Sequence, residues 1–528
     1  MRIKAYVKSM PIYWRLKRDQ AIRAYARLIS VLPDSYSISD SEGSASDTIM
    51  IFSSVGIFAN HLTVDVLLAK ELMRKGARVI VVLCDAQLPI CQVSDRYSFA
   101  FSIGDKGRER RQENICKACV SSTRELVANL GITYAYFSDG LRQADQDLMT
   151  PSEVDVSDEI RSGYIRYAAS SHTEELKNLP PDIHKKYVLA GDVALRAIEG
   201  LFNKYKPDTV IAHHGIYLPQ GIVQRVAKDR KTVFYSWHFG YRKSTLIFSR
   251  GDTYHRELIA DQPLAFEVGL DSFQRETILK YLSSRITGRQ DWIHFNRSPK
   301  PFTSGNSRSR YFVFFTSVDW DAALHFPTSV FLSQFDFLDK LIEVFRSLPE
   351  VELLIRVHPA EVTGFHPAAV SIDNYFANVD CPKNVQVISA RNKTSSYEIA
   401  KHCIAAIVYN TKLGLELPPV GIPVIVAGDC WMRGKGFSYD VCEADDLDHF
   451  IRLGAALKVT DSQREKALQF AYYFYFRRCI DTPELTSVST KFHVAVSSQG
   501  IMRAKVNDSG FRFIVKSILA TEQVIAPY

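Results

Sequence analysis

Eight apolar runs recur along the chain, each ending in a polar or glycine-bearing turn: TIMIFSS from residue 48, ARVIVVLCD from 77, TVIAHHG from 209, TVFYSWHFG from 232, RYFVFFTS from 310, VELLIRVHP from 351, IAAIVYNT from 404 and IPVIVAGD from 422. A strand that is apolar on both faces must be covered on both faces, which is the signature of a parallel sheet in an α/β protein. Parallel neighbours need a crossover, and the segments between the runs supply it. HLTVDVLLAKELMRKG, ALRAIEGLFNKY, LPQGIVQRVAKD and FLSQFDFLDKLIEVFRSLP all carry helical periodicity. With 528 residues the chain is too long for one core. The pattern breaks at residues 284–309, which lack a period and are rich in Ser, Gly, Pro and Arg, and then restarts. The expected architecture is two tandem doubly wound α/β domains with a cleft between them, over residues 47–300 and 301–470. Residues 1–46 read as a basic arm and a Ser-rich linker, and residues 471–528 as a helical tail.

The charge is unevenly placed. Residues 1–29 carry Arg2, Lys4, Lys8, Arg15, Lys17, Arg18, Arg23 and Arg27 against one acid, Asp19, which equals the whole chain's net charge of +7. The rest is near neutral, so no nucleic-acid-binding body is expected. Ile12, Trp14, Leu16, Ile22, Tyr25 and Ile29 intersperse the arm with apolar groups. That composition suits a helix on an anionic membrane surface, and equally a basic helix packed on its own domain. No window offers the roughly 18 uninterrupted apolar residues of a membrane span. Nine cysteines without an export signal indicate a reducing compartment, so a cytoplasmic protein, peripheral at the inner face of the plasma membrane, is expected.

Open parallel sheets bind ligands beyond the carboxyl ends of their strands. In the second domain these positions hold Thr316 and Ser317, Arg356, His358 and Glu361, and Asn410 and Thr411, with Glu416 and Lys435 further on. Imidazole, guanidinium and hydroxyl groups are donors for phosphate oxygens, and a carboxylate can hold ribose or sugar hydroxyls. In the first domain Ser53, Ser54, His61 and Asp65 follow the first strand, Asp85 the second, His213 and His214 the next, and Trp237 and His238 the one after. Transfer with inversion needs a base for the acceptor hydroxyl, and His61, Asp85, His214 and His238 are the candidates.

RVHPAE followed by VYNTKLGLELPPVGIPVIVAGDCWMRGKGFSYDV resembles the capsule polysaccharide biosynthesis proteins, including the Kdo transferases that start capsule chains. The resemblance covers mainly residues 310–440. It implies a GT-B glycosyltransferase that needs no metal for transfer, with the nucleotide-sugar donor on the second domain, a CMP-sugar favoured over UDP- and GDP-sugars, and a glycan or glycolipid acceptor on the first. Where such proteins carry an E-A-L-x-x-G helix this chain has ELPPVG, so Pro418 and Pro419 should end that helix early. Two other activities fit the same fold, a teichoic-type polyol-phosphate transferase and a sugar-nucleotide 2-epimerase.

Cys84, Cys91, Cys116 and Cys119 have the spacing C-x6-C-x24-C-x2-C, which suits tetrahedral zinc and also accepts an iron–sulfur cluster; the plain alternative is two adjacent thiols at Cys116 and Cys119. A metal there would staple the first domain, and a non-enzymatic interaction protein is a further reading. DWD at 319–321 and DQD at 145–147 are too short to argue a metal-nucleotide site, and no Walker loop or G-x-G-x-x-G follows any predicted strand.

Overall fold

The computed structural model describes residues 11–31, 47–53, 55–94, 104–285, 311–328, 330–363, 368, 371–487, 494–496 and 510–527. Ser54, most of the Ser-rich linker, part of the basic arm and most of the aperiodic segment 284–309 lie outside them. The chain groups into two compact units. The first comprises residues 1–168, 178–254 and 479–526, and the second residues 169–177, 255–478 and 527–528. The long run of the second unit thus starts at His255, before the break in periodicity, and residues 169–177 join it from earlier in the chain.

Among the described residues the main sheet of the first unit has seven strands: β1 (Thr48–Phe52), β2 (Arg78–Leu83), β3 (Thr133–Tyr136), β4 (Thr209–His213), β5 (Val233–Phe239), β6 (Thr245–Arg250) and, from the tail, Ile480–Asp481. Their order is Ile480–Asp481, β6, β5, β4, β1, β2, β3. The core pairs are parallel, with Ile49 beside Val79 and Thr209. β6 runs antiparallel to β5, and the tail strand antiparallel to β6. The sheet is therefore mixed at one edge, and the tail is not simply helical. The strand order reverses at β1, which has β2 on one side and β4 on the other.

Helix α1 (Pro11–Val31) forms the described part of the arm and packs on α2 (Ala59–Arg74) and α3 (Gly104–Asn129). Trp14 and Ala21 are buried there, while Ile12 and Leu16 face outward. Helices α4 (Phe137–Gln146) and α5 (Pro181–Tyr205) cross backbone to backbone, because Gly140 and Gly200 meet. A Cβ on Gly140 would stand 1.9 Å from the Ala197 carbonyl oxygen, and one on Gly200 2.0 Å from that of Gly140.

The second unit has six strands, all parallel: β7 (Tyr311–Phe315), β8 (Glu352–Arg356), β9 (Val385–Ile388), β10 (Cys403–Val408), β11 (Val424–Val426) and β12 (Tyr439–Asp440). They lie in the order β12, β11, β10, β7, β8, β9. Its core joins Phe312, Phe314, Leu353 and Ile355 to Phe337, Leu338 and Leu341 of α6 (Gln334–Arg346). The reversal here falls at β7, between β8 and β10. After β10 the helix is a single turn, Leu413–Glu416, and Pro418 and Pro419 open a tighter 3-10 turn.

Candidate functional site

In a doubly wound sheet the crevice opens at the carboxyl ends of the strands where the order reverses. In the second unit that point lies among Thr316, His358 and Asn410. The backbone N–H of His358 donates to Thr316 Oγ1 at 2.9 Å, and the imidazole Nδ1 accepts from the Ala360 N–H at 3.1 Å. With Nδ1 accepting, the ring proton sits on Nε2. Burial, then the charges of Lys412 and Arg356, hold the ring down to about 4, so it is neutral at physiological pH. Lys412 is a residue the strand-end reading passed over. Burial, and then Arg285, bring its ammonium down to about 7, with Glu416 opposing. Asn410 Oδ1 is buried without a hydrogen-bond partner. A neutral N–H donor and a half-neutralised lysine suit an incoming phosphate, whose charge restores the missing proton.

Other residues expected to hold the donor have internal duties. The guanidinium of Arg356 donates to the carbonyl oxygens of Ser389 (2.6 Å), Asn392 (2.9 Å) and Thr394 (3.4 Å), which fixes the loop after β9. Glu416 is paired with Arg285 at 2.9 Å and accepts from Tyr475 at 2.6 Å and from Tyr397, so this carboxylate is a core anchor and not a holder of sugar hydroxyls. Lys435 donates to the backbone oxygens of Ile259 and Asp261. Ser317 is clamped by Gln334 through both its N–H (2.6 Å) and its hydroxyl (2.9 Å). Glu361 accepts from the Ile372 N–H at 3.0 Å, and burial with the nearby Asp319 pushes its carboxyl up to about 8. Thr411 follows β10 and is half-buried.

The reversal point of the first unit carries a different arrangement. A small cavity there is lined by Ser53, His61, Asp65, Gln92, His213 and Gln220, with Phe52, Val55 and Phe58 as its apolar wall. His213 is the hub of the rings: His61 stands at 4.0 Å, His214 at 4.3 Å, and His238 at 5.7 Å in a stacked geometry. His61 Nδ1, His213 Nε2 and Gln220 Oε1 are all buried without a partner, which is costly unless a ligand or water satisfies them. Burial, then His238 and Arg166, hold His61 down to about 3, and His213 also lies well below the usual imidazole range. Burial raises Asp65 to about 7, although Ser53 and the Trp237 Nε1–H, at 2.8 Å, oppose the shift.

Three of the four base candidates, His61, His214 and His238, therefore converge, and Asp85 does not. Its carboxylate accepts from the Ser138 N–H and from Gln87, a capping role at the start of α4. Trp237 and His238 lie inside β5, not beyond it, because pairing with β6 carries the strand two residues further. His214 adopts a positive φ of 41° and accepts from the Ile216 N–H at 3.1 Å. Arg166 was not foreseen; only its charge near the histidines and its bond to the Gln92 carbonyl reveal it.

Cys84 follows β2, Cys91 lies in the next loop, and Cys116 and Cys119 share one face of α3. Among the described residues no group of three or more His, Cys, Asp or Glu side chains is arranged as a metal site, so the zinc expectation gains no support from the geometry as it stands. Among the described residues no helix is long and apolar enough to cross a membrane.

Residues 285–477 match the family described as capsule polysaccharide biosynthesis protein. No curated protein matches the chain. Solved structures that are similar include the beta Kdo 2,4 transferase of Thermosulfurimonas dismutans KpsC, at 15% identity over 51% of this chain and 80% of that one, with a TM-score of 0.36. The beta Kdo 2,7 transferase of the same KpsC follows at 13% identity, 59% and 89% coverage and a TM-score of 0.33. The glycosyltransferase SnogD of Streptomyces nogalater matches at 12% identity, 81% and 94% coverage and a TM-score of 0.25. The two Rossmann-type units fit a GT-B fold, and the match to the capsule polysaccharide biosynthesis family lies within the second of them.

Proposed function

We propose that the protein is a glycosyltransferase of capsular or lipopolysaccharide-type polysaccharide assembly, moving a sugar from a nucleotide donor to a membrane-linked glycan. The carrying observation is that the family match lies within the unit whose reversal point sets the His358 imidazole near the Lys412 ammonium. In this reading the donor is a CMP-linked acidic sugar, its phosphate held by His358 Nε2–H and Lys412 without a metal. The first unit binds the acceptor at the histidine cavity, where Asp65, lifted to about 7, is the group able to take up a proton. Ile12 and Leu16, exposed on the basic helix α1, support docking at the inner face of the plasma membrane.

A thermal-shift series with CMP, CDP, UMP, UDP and GDP tests the donor site. Ligand at a hundredfold excess over its dissociation constant stabilises the native state by about 2.7 kcal/mol. CMP should shift the wild type and leave His358→Ala unmoved. A shift with UDP alone would favour the epimerase chemistry, and no shift with any nucleotide would favour an interaction protein.

A further inference from the structure

Three buried polar atoms of the first unit belong to residues lining one cavity and have no hydrogen-bond partner among the described residues: His61 Nδ1, His213 Nε2 and Gln220 Oε1. The fold brings them from separate segments. His61 sits in the first turn of α2, His213 is the last residue of β4, and Gln220 opens the helix Gln220–Asp229. Phe52 and Ala212 are neighbours in the sheet, so His213 leaves β4 beside the point where Ser53 leaves β1. The rings of His61 and His213 meet edge to face, with 4.0 Å between centroids and 70° between planes. Gln220 is only 3% exposed. An orphaned amide oxygen at that depth is costly, and three orphans at one cavity call for a shared partner.

The cavity has a volume of about 10 Å³, room for one water-sized group and not for a sugar ring. Its chemistry narrows the choice further. Gln220 Oε1 only accepts, so the partner must donate, whereas each imidazole nitrogen donates or accepts according to its tautomer. A hydroxyl has one proton and two lone pairs, so it can donate to Gln220 Oε1 and accept from His61 and His213 at once. An anion has no proton for Gln220 and would lie beside the Asp65 carboxyl. A cation would meet the charge of Arg166, which already bears on both histidines. The apolar wall of Phe52, Val55 and Phe58 suits the carbon that carries a hydroxyl.

We propose that His61, His213 and Gln220 form a subsite for a single neutral hydroxyl group, filled by water in the free protein and by one hydroxyl of a polyol or glycan in the complex. His61 and His213 are half-buried while Gln220 and Asp65 are buried, so the hydroxyl enters from the histidine side and its ring stays outside. The proposal deepens the acceptor reading and rests on it for the source of the hydroxyl. The three residues are then specificity-determining: an acceptor lacking a hydroxyl at that position leaves them unpaired and is rejected.

The test is crystallography of the full chain, free and soaked with glycerol, sodium acetate or methylammonium chloride as probes. In the free crystal one water should lie within about 3.2 Å of Gln220 Oε1 and of at least one of the two imidazole nitrogens. Glycerol should replace it with one of its own hydroxyls, while acetate and methylammonium leave it in place. Gln220→Leu should raise the glycerol concentration for half-occupancy roughly tenfold. If that variant fails to fold, His213→Phe takes its place with the same expectation. An empty or closed cavity overturns the proposal, as does a water that glycerol cannot displace or that acetate or methylammonium displaces. A glycerol site unchanged in the variant overturns it too. Nucleotide binding in the thermal-shift series decides the transferase reading separately. Hydroxyl capture without it keeps the subsite and discards transfer, and nucleotide binding without hydroxyl capture does the reverse.

Discussion

The two sheets reverse their strand order in the same way, yet the polar residues at their reversal points are treated differently. At the second unit's edge most are tied into the fold: Arg356 to three carbonyls, Glu416 to Arg285 and two tyrosines, Ser317 to Gln334. Asn410 Oδ1 and Arg356 Nε are the atoms there that stay buried without a partner among the described residues. At the first unit's edge the reverse holds, with His61, His213 and Gln220 presenting unpaired atoms to a buried cavity. At one edge most polar side chains are bound to the fold; at the other the unpaired atoms gather around one cavity. The contrast teaches that a polar strand end marks where a site can be, while its hydrogen-bond partners decide whether that residue serves the ligand or the fold.

The largest effect that would break this contrast is at the Arg285–Glu416 pair, where both side chains are almost wholly buried. Removing one partner leaves a buried charge uncompensated, and Arg285→Ala should cost about 3–5 kcal/mol. Replacing both, as Arg285→Met with Glu416→Leu, should recover most of that loss. Urea unfolding followed by tryptophan fluorescence, to which the second unit contributes Trp292, Trp320 and Trp431, reads both. A loss below about 1 kcal/mol for Arg285→Ala would mean that the second edge is not held by its internal network.

Next comes the first edge, through pH. Burial lifts Asp65 from its ordinary 3.8 to about 7, so between those values the folded protein keeps a proton that the unfolded chain releases. Stability from this group is full below about pH 4 and is lost as pH rises through 7. At about 1.36 kcal/mol per unit the full swing is on the order of 4 kcal/mol. Asp65→Asn removes it: denaturation midpoints at pH 5 and pH 8 should lie closer together in the variant, with the gain at pH 8. Equal pH dependence in both proteins would show that the cavity already solvates its carboxylate.

Much of this was legible in the sequence, and the reasons for the remainder are physical. The doubly wound units followed from runs such as TIMIF and RYFVFF, because burial on both faces leaves no polar alternation to misread. The strand-end reading named His61, His214 and His238, which do come together, although His61 lies in the first turn of α2 and His238 inside β5. What could not be read was partnership across long separations. Arg285 meets Glu416 from 131 residues away, and Trp237 meets Asp65 from 172. No local pattern distinguishes an arginine aimed at carbonyls from one aimed at phosphate, so Arg356, Glu416 and Lys435 looked like ligand holders. Lys412 was overlooked because one lysine after a strand resembles any solvated turn; its lowered basicity exists only once the fold buries it.

Lys412 offers a sharper test of the second edge, at about 1.4 kcal/mol per pH unit. Its ammonium is about half protonated at pH 7 in the free protein, and an incoming phosphate favours the charged form. Nucleotide binding then takes up a proton above pH 7, and affinity should fall by up to about tenfold per unit as pH rises from 7 to 9. Titration calorimetry in buffers of different ionisation enthalpy measures the uptake directly. Lys412→Met should bind more weakly at pH 7 and lose the slope; a slope that persists would assign the proton to another group.

The smallest effect concerns how the second edge is kept in register. Ser333 caps α6 by accepting the Asp336 N–H at 3.1 Å, and the next residue, Gln334, clamps Ser317 at the end of β7. In the first unit α2 begins at Phe58 with no side-chain cap, beside the cavity. Ser333→Ala should lower the stability of the second unit by about 1 kcal/mol, the usual worth of a cap, and weaken nucleotide binding only slightly. If binding instead falls with stability nearly unchanged, the cap acts by aiming Gln334 at Ser317, and the satisfied edge would owe its rigidity to one helix terminus. A loss confined to stability keeps the distinction between the edges where the hydrogen bonds put it, in the groups that surround Arg356 and Glu416.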